Sequence, residues 1–308
     1  MKALLVDIDG IIPNLALMKI STMVKKAGGT ASFHESDPTH VFISCIFEKN
    51  RNKATSSKRM IKLQYPDAVI DIGGTGYDLT KSMPEIETLY PDYDLYPSMS
   101  YSMGFTTRGC IRNCSFCVVP KKEGKFKVVQ HPENFYNPKL NDMVLLDNNI
   151  LANKNWFFEV TEWILKKDLR LDFNQGLDIR LVDADVAKRL HDLKPLSCWK
   201  FAFDNMDYKE EVIEGITILQ DAKVNSRRNI MFYVYLDSDN EFEDALERCN
   251  VLRDPFPDKI PKRPGVSAFL MINQNAKRTQ RMTDLKCWCR PWCYWTVPFS
   301  EYDRVVAR

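Results

Sequence analysis

A chain of 308 residues with 44% hydrophobic composition has apolar material for one large core or two medium ones. Its 43 Lys and Arg against 41 Asp and Glu leave a net charge of +2, so the overall balance indicates neither nucleic acid nor an anionic membrane surface as partner. In the opening "MKALLVDIDG", Asp7 and Asp9 break a short apolar run, and no apolar run reaches spanning length; a cytoplasmic chain with reduced thiols and no membrane partner is expected.

Residues 1–80 read as a small Rossmann-like α/β domain. The runs "ALLVDID", "HVFISCIF" and "DAVIDIGG" have the apolar density of buried parallel strands and end in polar residues or glycine. Between the first two, "PNLALMKISTMVKKAGG" predicts a helix that starts at Pro13 and Asn14, aligns Leu17, Ile20 and Val24 on one face, and stops at Gly28 and Gly29. "GGTGYDL" lacks the third glycine of GxGxxG and the GK[ST] of a P-loop, which favours a tight strand-end turn over a phosphate cradle. Residues 81–98, rich in proline and tyrosine and without periodicity, read as an ordered linker.

Strand–helix alternation occupies residues 99–285. The strand-like runs are "YSMGFTT", "DMVLLDNN", "LRLDFNQG", "WKFAFDN", "NIMFYVYLD" and "VSAFLMINQN". Helical patterns lie between them in "NKNWFFEVTEWILKKD", "DADVAKRLHDL", "KEEVIEGITILQDA" and "NEFEDALERCNVLRD". This predicts a partial (β/α)6 TIM-like barrel or an open doubly wound sheet. The apolar runs end in polar groups: Asp147, Asn148 and Asn149; Asn174, Gln175, Asp178 and Arg180; Asp204 and Asn205; Asp237 and Asp239; Asn273 and Asn275. Any one of these suits a turn or a helix cap, but their repetition at carboxyl ends of parallel strands predicts a common ligand face.

The segment "TTRGCIRNCSFCVVPKKEGK" places Cys110, Cys114 and Cys117 within eight residues. Thiols at that density suit a soft metal or an iron–sulfur cluster. A closed zinc site would need a fourth ligand from His131 or a distant cysteine, whereas a four-iron cluster held by three cysteines keeps one iron open. Lys121, Lys122 and Lys125, just beyond, read as solvated charges. In residues 286–308, a C-terminal extension, Cys287, Cys289 and Cys293 stand among tryptophans; they suit either a packed helix end or an auxiliary iron–sulfur cluster with Cys249 as fourth ligand.

The CxxxCxxC spacing with Phe116 before the last cysteine, in the wider string "TTRGCIRNCSFC", resembles the radical S-adenosylmethionine superfamily. It looks most like the subgroup with a TRGC-x-x-x-C-x-F-C loop and an N-terminal cobalamin-binding-like domain. That resemblance implies a 4Fe-4S cluster on Cys110, Cys114 and Cys117, S-adenosyl-L-methionine on the open iron, and an external one-electron reductant of flavodoxin or ferredoxin type. It implies reductive cleavage of S-adenosylmethionine to a 5′-deoxyadenosyl radical that takes hydrogen from a substrate the sequence does not name. Carried over by position, Asp147, Asn148 and Asn149 would meet the methionine amino group where the family usually has Gly-Gly-Glu. Gln175, Asp178 and Arg180 would meet the ribose or carboxylate, and Asn273 and the backbone at Phe116 the adenine. The segment around His40 lacks the Asp-x-His-x-x-Gly of histidine-ligated cobalamin, so the first domain reads as degenerate and cobalamin is not expected. Two rivals stand beside this reading. One is methylthio or sulfur transfer to nucleic acid with a second cluster in the C-terminal extension, and the other a zinc-stabilised binding module without enzymatic activity.

Overall fold

The computed structural model describes residues 1–224, 230–253 and 266–304. They form two compact units of mixed α/β structure, Met1–Asp142 and Met143–Arg308, each built on parallel sheets.

In the first unit, β1 (Lys2–Asp7), α1 (Leu15–Lys26), β2 (Thr30–Ser32), β3 (His40–Ser44), α2 (Arg51–Gln64) and β4 (Val69–Gly73) make a four-stranded parallel sheet in the order β2–β1–β3–β4. Helix α1 begins where expected, because Asn14 accepts from the Leu17 N–H at 3.2 Å and donates to Ser44 Oγ at 2.9 Å, tying the cap to the end of β3. Leu17, Ile20 and Val24 bury the predicted face. At the turn after β4, which the sequence reading took as a tight strand-end turn, Gly74 has φ +101, and a Cβ there would lie 2.3 Å from the Cys45 carbonyl oxygen, so the glycine also permits close backbone approach. The sequence reading contained neither β2 nor α2. Helix α2 buries only Ala54, so it carries almost no apolar stripe to detect.

The segment read as a linker packs on this unit. Ile86 is buried in the core formed by Leu5, Leu17 and Ile20, with Leu89 and Leu95 against the same cluster. The Asp92 carboxylate accepts from Ser21 Oγ at 2.5 Å and Lys25 Nζ at 2.6 Å.

The next predicted strand, "YSMGFTT", divides into β5 (Ser102–Gly104) and β6 (Thr107–Arg108). Thr106 ends the extended run by turning its carbonyl to the Val129 N–H at 2.8 Å, and β6 then pairs antiparallel with β7 (Lys127–Val128), beyond the short helix α3 (Val119–Lys122).

The second unit begins at β8 (Asp142–Leu145) and continues through α4 (Lys154–Lys166), β9 (Arg170–Phe173), α5 (Ala184–Asp192), β10 (Lys194–Pro195) and β11 (Trp199–Ala202). Then come α6 (Lys209–Asp221), β12 (Ile230–Leu236), α7 (Phe242–Arg253), β13 (Val266–Ile272), α8 (Gln280–Trp288) and α9 (Pro291–Thr296). The order β10–β9–β8 forms one sheet and β11–β12–β13 another. A parallel bridge between Leu177 and Phe201 joins them, so the chain just after β9 pairs with β11. Phe157 of α4 packs 6.0 Å from Phe173, which lies 5.9 Å from Trp199, and Phe201 stacks on Phe232 at 5.4 Å. These buried rings bring α4 and strands of both sheets into one core. Among the described residues no helix is long and apolar enough to cross a membrane.

Candidate functional site

The polar residues that end the strands of the second unit meet in one connected chain of contacts. After β8, Asn149 is buried and its Nδ2 donates to Asp178 Oδ2 at 3.4 Å. Beyond β9, Gly176 takes φ +89, which lets the chain turn before Leu177 joins β11. Asp178 then caps a short turn and grips Arg180 through Nε at 2.8 Å and Nη2 at 3.3 Å. The Arg180 guanidinium lies 4.3 Å from the centre of the Tyr208 ring. Tyr208 Oη accepts from the Asp204 N–H at 2.7 Å, and Asp204 Oδ1 accepts from the Tyr235 N–H at 2.9 Å. Tyr235 Oη donates to Asp237 Oδ1 at 2.9 Å, and the same oxygen accepts from Asn273 Nδ2 at 2.7 Å. The ends of β8, β9, β11, β12 and β13 are thereby linked in sequence.

The carried-over residues fall differently on this chain. Asn149, Asp178, Arg180 and Asn273 belong to it. Asp147 is buried and Asn148 half-buried on the same strand end, while Gln175 is exposed. Arg180 makes a two-point pair with Asp178 through Nε and Nη2, which fixes the direction of its guanidinium. Burial raises the Asp204 carboxyl above its ordinary range, opposed by the Tyr235 N–H and the positive charges of Arg248 and Arg180. Arg248 of α7 is itself buried and donates to the carbonyls of Phe203 at 3.0 Å and Tyr235 at 3.1 Å, fixing the ends of β11 and β12. The sequence reading missed Tyr208, Tyr235 and Arg248. Only Tyr235 left a signal, as a tyrosine alternating with apolar residues in "MFYVYLD".

The cysteine loop belongs to the first unit, as the excursion between β6 and β7. Cys114 is exposed, and Cys110 and Cys117 are half-buried. Cys110 Sγ accepts from the Arg112 N–H at 3.3 Å and Cys117 Sγ from the Val119 N–H at 3.5 Å. Hydrogen bonds to sulfur of this kind tune the potential of iron–sulfur clusters. Phe116 is exposed on the same loop. Among the described residues no three His, Cys, Asp or Glu side chains are gathered as a metal-ion site. The fit to a cluster therefore rests on the soft donor set and on the two N–H···S bonds. Lys122, read as solvated, donates instead to the carbonyls of Lys81 and Asp78.

At the C-terminal end, Cys249 and Cys289 bring their sulfurs to 3.8 Å in a buried pair, and Cys293 is buried nearby in sequence while Cys287 is half-exposed. Contact with Cys249, followed by burial, raises the Cys289 thiol well above its ordinary range, which keeps it protonated. Tyr294 Oη donates to the Cys249 carbonyl at 2.6 Å, and the Trp288 indole donates to the Val297 carbonyl at 2.7 Å. No family model matches the chain, and no curated protein matches it.

Proposed function

We propose that the chain is a radical S-adenosylmethionine enzyme whose 4Fe-4S cluster is held by Cys110, Cys114 and Cys117. The observation that carries this reading is the CxxxCxxC loop itself, with two of its sulfurs already accepting backbone N–H groups. Held there by Cys110, Cys114 and Cys117, a reduced cluster would supply one-electron reduction of S-adenosylmethionine, with the electron coming from an external flavodoxin- or ferredoxin-type reductant and methionine leaving, to begin radical chemistry on the substrate.

The chain's own residues have binding and orienting roles in this reading. Asn149 and the Asp178–Arg180 pair offer acceptors and donors for the amino, carboxylate and ribose groups, and Asn273 a polar edge for the adenine. Arg180 is rigid because Asp178 and the Tyr208 ring hold it, so it would orient a ligand with little loss of freedom. The parallel strands and alternating helices of the second unit, together with the Leu177–Phe201 bridge, support a partial (β/α)6 TIM-like barrel. The parallel four-stranded sheet of the first unit supports a Rossmann-like domain.

The test is anaerobic reconstitution with iron and sulfide, then dithionite and S-adenosylmethionine. About four irons per chain and release of 5′-deoxyadenosine are expected, with both lost in Cys114→Ala. Tightly bound zinc without a reducible cluster would sink the proposal.

A further inference from the structure

We propose that Glu123 is a positioning residue that clamps the two ends of the cysteine loop, and that Arg108 transmits this hold to Glu87. The part of the inference that concerns a bound cluster rests on the function proposed above; the clamp itself does not.

One Glu123 oxygen accepts from the Gly109 N–H at 2.9 Å, and the other accepts from Arg108 Nη1 at 3.0 Å. Glu123 thus closes the loop from its far end onto the residues that immediately precede Cys110. Arg108 has further donors, and it spends them on a second carboxylate: Nε reaches Glu87 Oε1 at 2.9 Å and Nη2 reaches Glu87 Oε2 at 3.2 Å. Its guanidinium also lies 3.3 Å from the centre of the Phe105 ring. A lysine, with one point charge, could not span two carboxylates and stack on a ring.

Two further observations place the clamp at the base of the loop. Gly109 takes φ +74, and a Cβ there would fall 2.3 Å from the Lys125 carbonyl oxygen, so the strands of the excursion touch at this point. Glu87 is anchored in turn, because its carbonyl accepts from the buried Lys19 of α1. The path Lys19–Glu87–Arg108–Glu123–Gly109 therefore runs from a core helix of the first unit to the residue before the first thiol. A loop fixed at both ends has fewer conformations to lose when three sulfurs must converge on one group.

The experiment uses the full chain in two states. Without iron, the amide exchange of Gly109 is followed by NMR. In the reconstituted chain, iron release to a chelator is followed by the visible absorbance. Glu123→Ala is expected to speed Gly109 exchange by about tenfold or more, the effect of one lost charge-assisted hydrogen bond. It should speed iron release by about the same factor. Glu123→Gln keeps an acceptor for Gly109 and loses the charge facing Arg108, so it should restore most of the amide protection while iron release stays faster than in the parent. Arg108→Lys should show the same split. A Gly109 amide that exchanges as fast in the parent as in Glu123→Ala overturns the clamp, and unchanged iron release in all the variants overturns its positioning role. Failure of the parent to take up iron counts against the cluster reading alone, since Gly109 exchange still decides the clamp.

Discussion

Lys19 shows how one buried charge makes stability depend on pH. It is 3% exposed on α1, and burial lowers its pKa to about 8 from an ordinary 10.5, with Arg108 adding to the shift and Glu87 opposing it. The folded pKa lies below the unfolded one, so the unfolded chain binds the extra proton between these values. Stability should therefore rise with pH through that window. Between about pH 7.5 and 9.5 the gain should be about 2 kcal/mol relative to Lys19→Met, measured by urea unfolding at each pH. A flat difference between the two proteins would mean that Lys19 is solvated. Among the candidate site residues, the cysteines were legible singly because their chemistry is rare and local. Arg248 and Tyr208 were not, since an arginine in a helix and a tyrosine in a turn acquire meaning only from the strand ends they touch.

At the scale of elements, the helices α4, α5, α6 and α7 fall within the segments predicted for them, as their 3.6-residue periodicity is a local property. Two helix starts differ in whether a cap side chain makes its bond. Asn153 caps α4 by accepting from the Trp156 N–H at 3.1 Å, whereas Asn50 at the start of α2 makes no such side-chain bond. Asn153→Ala should cost about 1 kcal/mol in urea unfolding and Asn50→Ala less than about half of that. Equal costs would show that the cap bond contributes nothing in solution. The division of "YSMGFTT" into β5 and β6 was not legible, because Thr106 leaves the strand for partners at Val129 and Gln130 more than 20 residues away. The same holds for β10, a two-residue strand defined only by pairing with β9.

At the scale of the whole molecule, the bridge between Leu177 and Phe201 makes β9 and β11 neighbours and carries the parallel arrangement from one sheet of the second unit to the other. Phe201 is fully buried there and stacks on Phe232. Phe201→Ala should remove about 3–5 kcal/mol of stability, read by tryptophan fluorescence during urea unfolding, because a ring-sized cavity would open where the sheets join. A cost below about 1 kcal/mol would mean that the joint is not part of the core.

The sequence by itself determined the periodic elements, the polar character of the strand ends and the three-thiol loop, since each is written in residues close together along the chain. Only the tertiary structure decided that Asn149, Asp178, Arg180, Tyr208, Asp204, Tyr235, Asp237 and Asn273 form one chain of contacts. It alone decided that residues 84–95 pack on the first unit, and that Glu123 and Arg108 close the cysteine loop. The physical reason is common to all of these. A hydrogen bond between residues far apart in sequence depends on how sheets bring chain segments together, and no local pattern of residue types encodes that distance.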